Sequence, residues 1–179
     1  MSRIVKIPRV VTPRLVLRAL EEADLEPYAA MMADPQVTRY LGDGRPLSRV
    51  DAWRQMAVFL GHWALRGFGV WAVEHRETGA FMGRIGCLEP EGWPGFEVGY
   101  SLDRPFWGQG FATEGVRASL EYARAECKQD RVISIIRPDN RASIRVAERL
   151  GATLDGDVEF FGGQSLIYAY PSPATAASA

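Results

Sequence analysis

The sequence has too few metal-binding and disulfide-forming residues to indicate a metal centre or a cross-linked fold. It contains two cysteines and two histidines in 179 residues. Cys87 and Cys127 lie far apart and form no CxxC or Cys/His ligand pattern. We therefore expect two reduced thiols in the core and no metal ion.

An excess of charge of one sign and a long apolar run are also missing. There are 21 basic and 22 acidic residues, for a net charge of -1, so no overall basic field would attract nucleic acid or anionic lipid. No apolar run reaches the roughly 18 residues of a membrane span, and Met1–Val11 lacks the apolar centre of a secretion signal. These absences predict a cytoplasmic protein that binds neither nucleic acid nor membranes.

The length and the hydrophobic content indicate one globular domain. A hydrophobic share of 47% is enough to fill a core for a chain of 179 residues, and we assign the domain to residues 1–170. Residues 171–179 are rich in Pro, Ala and Ser and contain little to bury. This tail is expected to be disordered.

Hydrophobic periodicity predicts an alternation of strands and helices along the domain. The predicted strands are 14–18, 68–75, 81–88, 96–102 and 132–136, followed by a hairpin across Gly162-Gly163. The predicted helices are 24–34, closed by Pro35; 48–66, ended by Gly67; 113–126; and a helix capped by Asn140 and ended by Gly151.

The second of these helices has the clearest apolar spacing. Val50, Trp53, Ala57, Leu60 and Ala64 recur at intervals of three and four residues, which places them on one side of a helix. We expect this stripe to face the core, which leaves no unassigned apolar stripe to indicate an oligomeric interface.

A glycine-containing loop separates a predicted strand from the helix 113–126. In the segment Pro105–Thr113, small residues stand where successive backbone N–H groups can point at one anion, an arrangement that suits a pyrophosphate. The loop is not followed by the Gly-Lys-Ser/Thr of a Walker loop, and Thr113 stands where a dinucleotide fingerprint needs its third glycine. Neither ATP nor NAD is favoured.

Three segments resemble the N-acetyltransferases of the GNAT superfamily, in particular the RimJ/RimL-type branch. Trp107–Glu114 is similar to the W-G-x-G-x-A-T-E loop of that branch. Asn140–Ala152 resembles its N-x-x-S-I-x-V-x-E-K-L-G-F segment, and Thr12–Arg18 resembles its T-x-R-L-x-L-R start. The three occur in the family's order and span most of the chain.

The resemblance implies a GNAT-type α/β fold, a mixed and strongly twisted sheet of six or seven strands with helices on both faces. It implies acetyl-CoA as the co-substrate, with its pyrophosphate on the glycine loop, its pantetheine beside Asn140 and an oxyanion donor near Val98 or Gly99. The implied CoA-binding residues are Val98, Gly99, Trp107, Gly108, Gln109, Gly110, Phe111, Ala112, Thr113, Asn140 and Ser143.

The resemblance also suggests which residues handle protons during attack on a thioester. Glu97 is the first candidate for the general base, the alternative being a carboxylate paired with an arginine. Glu159 is the rival base, or else an ordinary exposed strand residue. Ser143 either hydrogen-bonds the CoA sulfur or pantetheine, or satisfies the helix terminus. The tyrosine that many members use to protonate the thiolate corresponds here to Ala147.

The implied reaction is acetyl transfer to a primary amine by direct attack through a tetrahedral intermediate. The amine acceptor is a protein N-terminus or a small molecule, and it should enter a cleft near Tyr40, Trp53, Trp93 and Phe160. A non-catalytic acyl-CoA-binding sensor and a nucleotide-phosphate-binding protein are the alternatives. Relatives often dimerise, so a homodimer is compatible with the resemblance.

Overall fold

The computed structural model describes residues 5–172, so most of the tail predicted to be disordered lies outside the described residues. The strands are β1 (Val10–Val11), β2 (Leu15–Arg18), β3 (Val70–His75), β4 (Phe81–Leu88), β5 (Glu97–Leu102), β6 (Ile133–Ile136), β7 (Thr153–Phe160) and β8 (Gly163–Ala169). The helices are α1 (Leu25–Met32), α2 (Pro35–Thr38), α3 (Arg49–Arg66), α4 (Phe111–Ala125) and α5 (Arg141–Arg149).

All the described strands belong to one mixed sheet in the order β1-β2-β3-β4-β5-β6-β8-β7. Neighbouring strands are antiparallel except β5 and β6, which run parallel and share a single bridge between Glu97 and Ile133. Over residues 5–172 the sheet has eight strands rather than the six or seven predicted, and the two-residue β1 is short enough to leave no periodicity in the sequence.

The sheet separates two hydrophobic cores, which confirms the prediction of helices on both faces. Alternate residues of β3 point to opposite sides: Val70 and Ala72 pack with α1 and α3, whereas Trp71 and Val73 pack with α4 and α5. Within residues 5–172, none of the helices is long and apolar enough to cross a membrane.

Local signals place the ends of α3 and the start of α2. The Ser48 hydroxyl accepts a hydrogen bond from the N–H of Asp51 at 3.1 Å, and Gly67 ends the helix at φ +79°, as predicted. Pro35, in contrast, begins a helix instead of only closing one. Because proline fits the first helical position, Asp34 caps α2 by accepting from Gln36 N–H.

The predicted buried stripe of α3 was wrong. Val50 is 58% exposed and Trp53 48% exposed, and Ala57, Leu60 and Ala64 are exposed as well. The residues that pack against the sheet are instead Ala52, Met56, Phe59, His62 and Trp63. Both sets have helical spacing, so α3 is apolar on two sides and spacing alone could not identify the inner side.

Candidate active site

The glycine loop between β5 and α4 exposes a row of free backbone N–H groups. Gly108 and Gly110 have φ values of +74° and +82°, a left-handed conformation that glycine adopts without strain. Within residues 5–172, the N–H groups from Gly108 to Thr113 have no hydrogen-bond partner, whereas Trp107 and Glu114 on either side do. Six consecutive free donors at the positive end of a helix form a cradle for an anion.

A half-buried carboxylate fixes the position of this loop. Glu114 accepts hydrogen bonds from the Thr12 hydroxyl at 2.6 Å and from Arg14 N and Nε at 2.8 and 2.7 Å. Arg14 also donates to the carbonyl of Gln109 at 2.9 Å and lies over the Phe111 ring. Burial raises the pKa of Glu114, but these hydrogen bonds outweigh burial and lower it. Glu114 is thus an ionised structural residue that ties the loop to the start of β2.

The strands β5 and β6 diverge immediately after their single bridge. Beyond it the two strands are joined through side chains, since the Ser134 hydroxyl donates to the carbonyl of Val98 at 2.6 Å and lies 2.9 Å from the Tyr170 hydroxyl. This opening lies in the middle of the sheet. It gives a narrow, extended group access to the backbone of Val98 and Gly99.

Glu97 stands at the point where the strands separate, and it is 9% exposed. Its Oε2 accepts from the indole N–H of Trp93 at 2.7 Å, and its Oε1 accepts from the N–H of Ile135 at 3.3 Å. Burial raises the pKa of Glu97, while the two hydrogen bonds and the charge of Arg84 partly oppose the rise. A carboxylate with a raised pKa is a stronger base than an ordinary glutamate.

The first turn of α5 faces the same opening from the other side. The Asn140 side chain caps the helix by accepting from the N–H of Ser143 at 3.2 Å. The Tyr100 hydroxyl donates to the Ser143 hydroxyl at 3.0 Å. Ala147 is buried in the core, so no polar group occupies the position of the family tyrosine. Tyr100 supplies a phenol close to this site from β5 instead.

A cavity of about 280 Å³ connects these groups. Its floor includes Arg84 and Glu97, and the end nearest α5 includes Asn140 and Ser143. The other walls come from the 40–47 loop, from α3 and from the β7–β8 hairpin, where Trp93 makes edge contacts with Phe160. The cavity therefore extends from the strand opening to the helices and the hairpin, and it is called the chamber below.

Arg137 joins two of the segments that line this cavity. Arg137 donates to the carbonyls of Gly42 at 3.0 Å and Phe161 at 3.1 Å, which joins the 40–47 loop to the hairpin turn. The Tyr40 hydroxyl donates to the carbonyl of Asp139 at 3.2 Å on the same side. Of the four residues predicted near the acceptor, Tyr40, Trp93 and Phe160 line the cavity, and Trp53 lies on the outer side of α3.

The structure brings together some of the predicted site residues and separates others. Glu97, Val98, Gly99, Asn140 and Ser143 all line the cavity. Glu159 does not: it is exposed on β7, since side chains alternate along a strand and its neighbour Phe160 is the one directed inward. The Trp107 indole donates to the carbonyl of Leu102 at 2.6 Å, so its ring supports the loop.

The sequence reasoning missed Tyr100 and Arg84 as cavity residues, and although it placed Trp93 near the acceptor it missed the contact of Trp93 with Glu97. The Tyr100 hydroxyl contacts Ser143, which is distant in sequence, and the Trp93 indole contacts Glu97 across a loop. Arg84 lies on β4, where the residues next to it are apolar or glycine. The one available signal was Arg84 itself, a charged residue inside the otherwise apolar run 81–88. The sequence showed the charge of Arg84 but not which face of the sheet its side chain lies on.

His62 has a structural role that explains its burial. Its Nδ1 lies 2.7 Å from the carbonyl of Phe68, and its Nε2 accepts from the N–H of Glu89 at 3.1 Å. Both ring nitrogens are therefore used by the backbone, as expected for a histidine without a catalytic partner. Among residues 5–172, no cluster of His, Cys, Asp and Glu could hold a metal ion.

Comparison with known proteins identifies the family. Residues 14–153 match the family described as acetyltransferase (GNAT) domain. The uncharacterized protein YkkB of Bacillus subtilis is 34% identical over 151 residues, which cover 80% of this chain and 84% of YkkB. The FsC-acetyl coenzyme A-N(2)-transacetylase of Aspergillus fumigatus is 33% identical over 157 residues, covering 82% of this chain and 65% of that enzyme.

Solved structures show the same fold. An acetyltransferase from Agrobacterium tumefaciens superposes with a TM-score of 0.83 at 32% identity, over 95% of this chain and 98% of that chain. RimL, a ribosomal L7/L12 α-N-protein acetyltransferase in complex with coenzyme A, superposes with a TM-score of 0.75 at 21% identity, over 92% of this chain and 98% of that chain. The chain therefore belongs to the GNAT family of acyl-CoA-dependent acetyltransferases.

Proposed function

We propose that the protein transfers the acetyl group of acetyl-CoA to a primary amine of a protein N-terminus or a small molecule, with Glu97 as the general base. The observation that carries this proposal is the position of the Glu97 carboxylate. It is buried, its pKa is raised, and it stands where β5 and β6 separate, in one cavity with Asn140 and Ser143.

The described residues fit a coenzyme A molecule at two separate places. The free N–H groups of Gly108–Thr113 suit its pyrophosphate. The opening beside Val98 and Gly99 suits its narrow pantetheine arm, which can hydrogen-bond an exposed strand edge. When bound this way, acetyl-CoA supplies an activated thioester to the cavity.

The chemistry then needs a neutral amine, because an ammonium ion has no free electron pair. As the amine nitrogen bonds to the thioester carbon, it must lose a proton, and ionised Glu97 accepts this proton directly or through water. The predicted oxyanion donor, a main-chain N–H at Val98 or Gly99, lies in the same chamber. When the C–S bond breaks, the sulfur leaves as a thiolate.

Tyr100 and Ser143 are suited to protonate this thiolate. Burial raises the pKa of Tyr100, with the hydrogen bond to Ser143 opposing the rise, so the phenol keeps its proton at neutral pH. The hydroxyl pair lies at the α5 end of the cavity, next to Asn140. It would take the role that Ala147 cannot fill, with a proton passing from the hydroxyl pair to sulfur.

Replacing Trp93 with phenylalanine is expected to move the acid limb of the pH–rate profile to higher pH. The indole N–H stabilises the charged form of Glu97, so its removal raises the pKa of Glu97 further. Below that pKa the base is protonated and kcat/KM falls. The measurement is kcat/KM for acetyl transfer from pH 5 to 9 in both proteins. An unmoved acid limb would show that another group titrates there.

The proposed function is tested with purified protein, acetyl-CoA and a panel of amines. Thiol release and acetylated product are measured together, because product formation separates acetyl transfer from hydrolysis of the thioester. The panel contains peptides, since RimL is named for α-N-protein acetylation, and small amines, since the Aspergillus relative is named for an N(2)-transacetylation. Binding of coenzyme A without any acetylated product would favour the non-catalytic sensor.

A further inference from the structure

A buried arginine that lines the cavity forms no ion pair within the described residues. Arg84 is 7% exposed, and its Nε has no hydrogen-bond partner among residues 5–172. None of the described ion pairs includes it. Because a buried guanidinium is unfavourable unless it is paired, native proteins seldom contain one without a partner.

The groups that contact Arg84 directly are neutral and suited to hold it in place, whereas the Glu97 carboxylate interacts with it through charge without a described ion pair. The Phe59 ring lies 4.8 Å from the guanidinium carbon. Burial raises the pKa of Tyr28, and the neighbouring Arg84 charge opposes that rise, so the hydroxyl remains a neutral neighbour. That hydroxyl in turn donates to Gln55. These contacts orient the guanidinium without neutralising it.

Arg84 and Glu97 lie on the same face of the sheet. Cross-strand partners share a face, and Glu97 is opposite Leu88 whereas Arg84 is opposite Ser101. Arg84 and Leu88 are four positions apart on β4, so their side chains also point to one side. Both charged residues line the cavity. The chamber thus presents one buried anion and one buried cation to whatever enters it.

We infer that the acceptor is an amine that carries its own carboxylate, as a free amino acid does, and that Arg84 binds this carboxylate. Within the proposed function, on which this inference rests, Glu97 receives the amine while the guanidinium fork pairs with the carboxylate oxygens. A bound carboxylate would give Arg84 a hydrogen-bonded ion-pair partner, which none of the described residues supplies.

The test compares L-amino acids with the matching L-amino acid amides as acetyl acceptors. An amide keeps the side chain and the amine but lacks the negative charge, and it also resembles the first residue of a peptide. The wild-type enzyme is expected to prefer the acids by about 30-fold or more in kcat/KM, the effect of losing one partner of a buried charge pair. Arg84→Met, which keeps the length of the side chain, should abolish this preference.

Two controls separate binding from folding and from basicity. Arg84→Lys keeps the charge but not the fork, so it should retain part of the preference. Amides deprotonate more readily than amino acids, but this difference is the same for wild type and variants and cancels in the comparison. A melting temperature at or above that of the wild type in both variants shows that the fold is intact.

The outcomes distinguish this inference from the proposed function. Equal use of acids and amides by the wild type, or a preference that survives Arg84→Met, would overturn the role of Arg84 while leaving acetyl transfer in place. If no amine is acetylated, the proposed function fails, and calorimetry of the same acids and amides with the CoA-bound protein decides the inference. Carboxylate-dependent binding that Arg84→Met removes would support it, and its absence would reject it.

Discussion

Replacing Glu97 with glutamine is expected to lower kcat/KM for acetyl transfer by about a hundredfold to ten-thousandfold, the usual contribution of a general base. Glutamine has nearly the same shape, and its carbonyl oxygen can still accept the indole N–H of Trp93. It cannot accept the proton of the amine. The measurement is steady-state kinetics with the best acceptor of the amine panel, at saturating acetyl-CoA.

Two comparisons make this result specific. Glu159→Gln removes an exposed carboxylate outside the cavity, so its activity should match that of the wild type. Coenzyme A affinity, measured by calorimetry, should differ little between Glu97→Gln and the wild type, because the glycine loop and Asn140 are untouched. Full activity of Glu97→Gln together with a loss in Glu159→Gln would reverse the assignment of the base.

The direction in which Glu97→Gln changes the stability of the protein can be predicted. Because burial raises the pKa of Glu97, the folded state holds this proton more tightly than the unfolded state does. The contribution of Glu97 to stability is therefore fully present below the pKa of the unfolded state, and it is lost as pH rises through the pKa of the folded state. Glutamine removes this dependence, so Glu97→Gln should unfold at the same or a higher temperature than the wild type at neutral pH. Lost activity would then reflect lost chemistry.

The parts of the fold that the sequence predicted depend on short-range chemistry. Ser48 and Asn140 cap helices through neighbours three residues away, and Gly67 needs a positive φ that few other residues tolerate. The glycine loop combines a helix start with glycines of positive φ. Its N–H groups from Gly108 to Thr113 have no partner among the described residues. Each of these features is determined within a few residues of chain, so a sequence pattern is sufficient to find it.

The parts that were missed depend on which residues meet across the sheet. Both sides of α3 carry apolar residues, and only the packing against β3 and β4 selects the side with Phe59. The β7 register decides that Phe160 rather than Glu159 faces the cavity. The β4–β5 register likewise places Arg84 on the face of Glu97. Shifting either register by one residue would move these side chains to the opposite face of the sheet. The register depends on pairing between strands, so no short stretch of sequence predicts it.

Gly108→Asp is expected to raise the KM for acetyl-CoA by on the order of a hundredfold. A carboxylate there would stand among the free N–H groups of the loop and repel the two phosphates at a distance of a few ångströms. A side chain at Gly108 meets no atom within 4 Å, so the fold has room for it. The measurement is the KM for acetyl-CoA, beside the same reaction with S-acetylpantetheine, which has no pyrophosphate.

Gly79→Asp is the matched control for this change. Gly79 has φ +70°, close to the +74° of Gly108, and also has no atom within 4 Å of an added Cβ, so both substitutions introduce one charge and similar backbone strain. Because Gly79 lies in the β3–β4 turn, only the loop variant should lose affinity for acetyl-CoA, and both should use S-acetylpantetheine as the wild type does. An equal loss in the two variants would mean that strain, and not repulsion at the loop, weakens binding, and the pyrophosphate would then have to be held elsewhere.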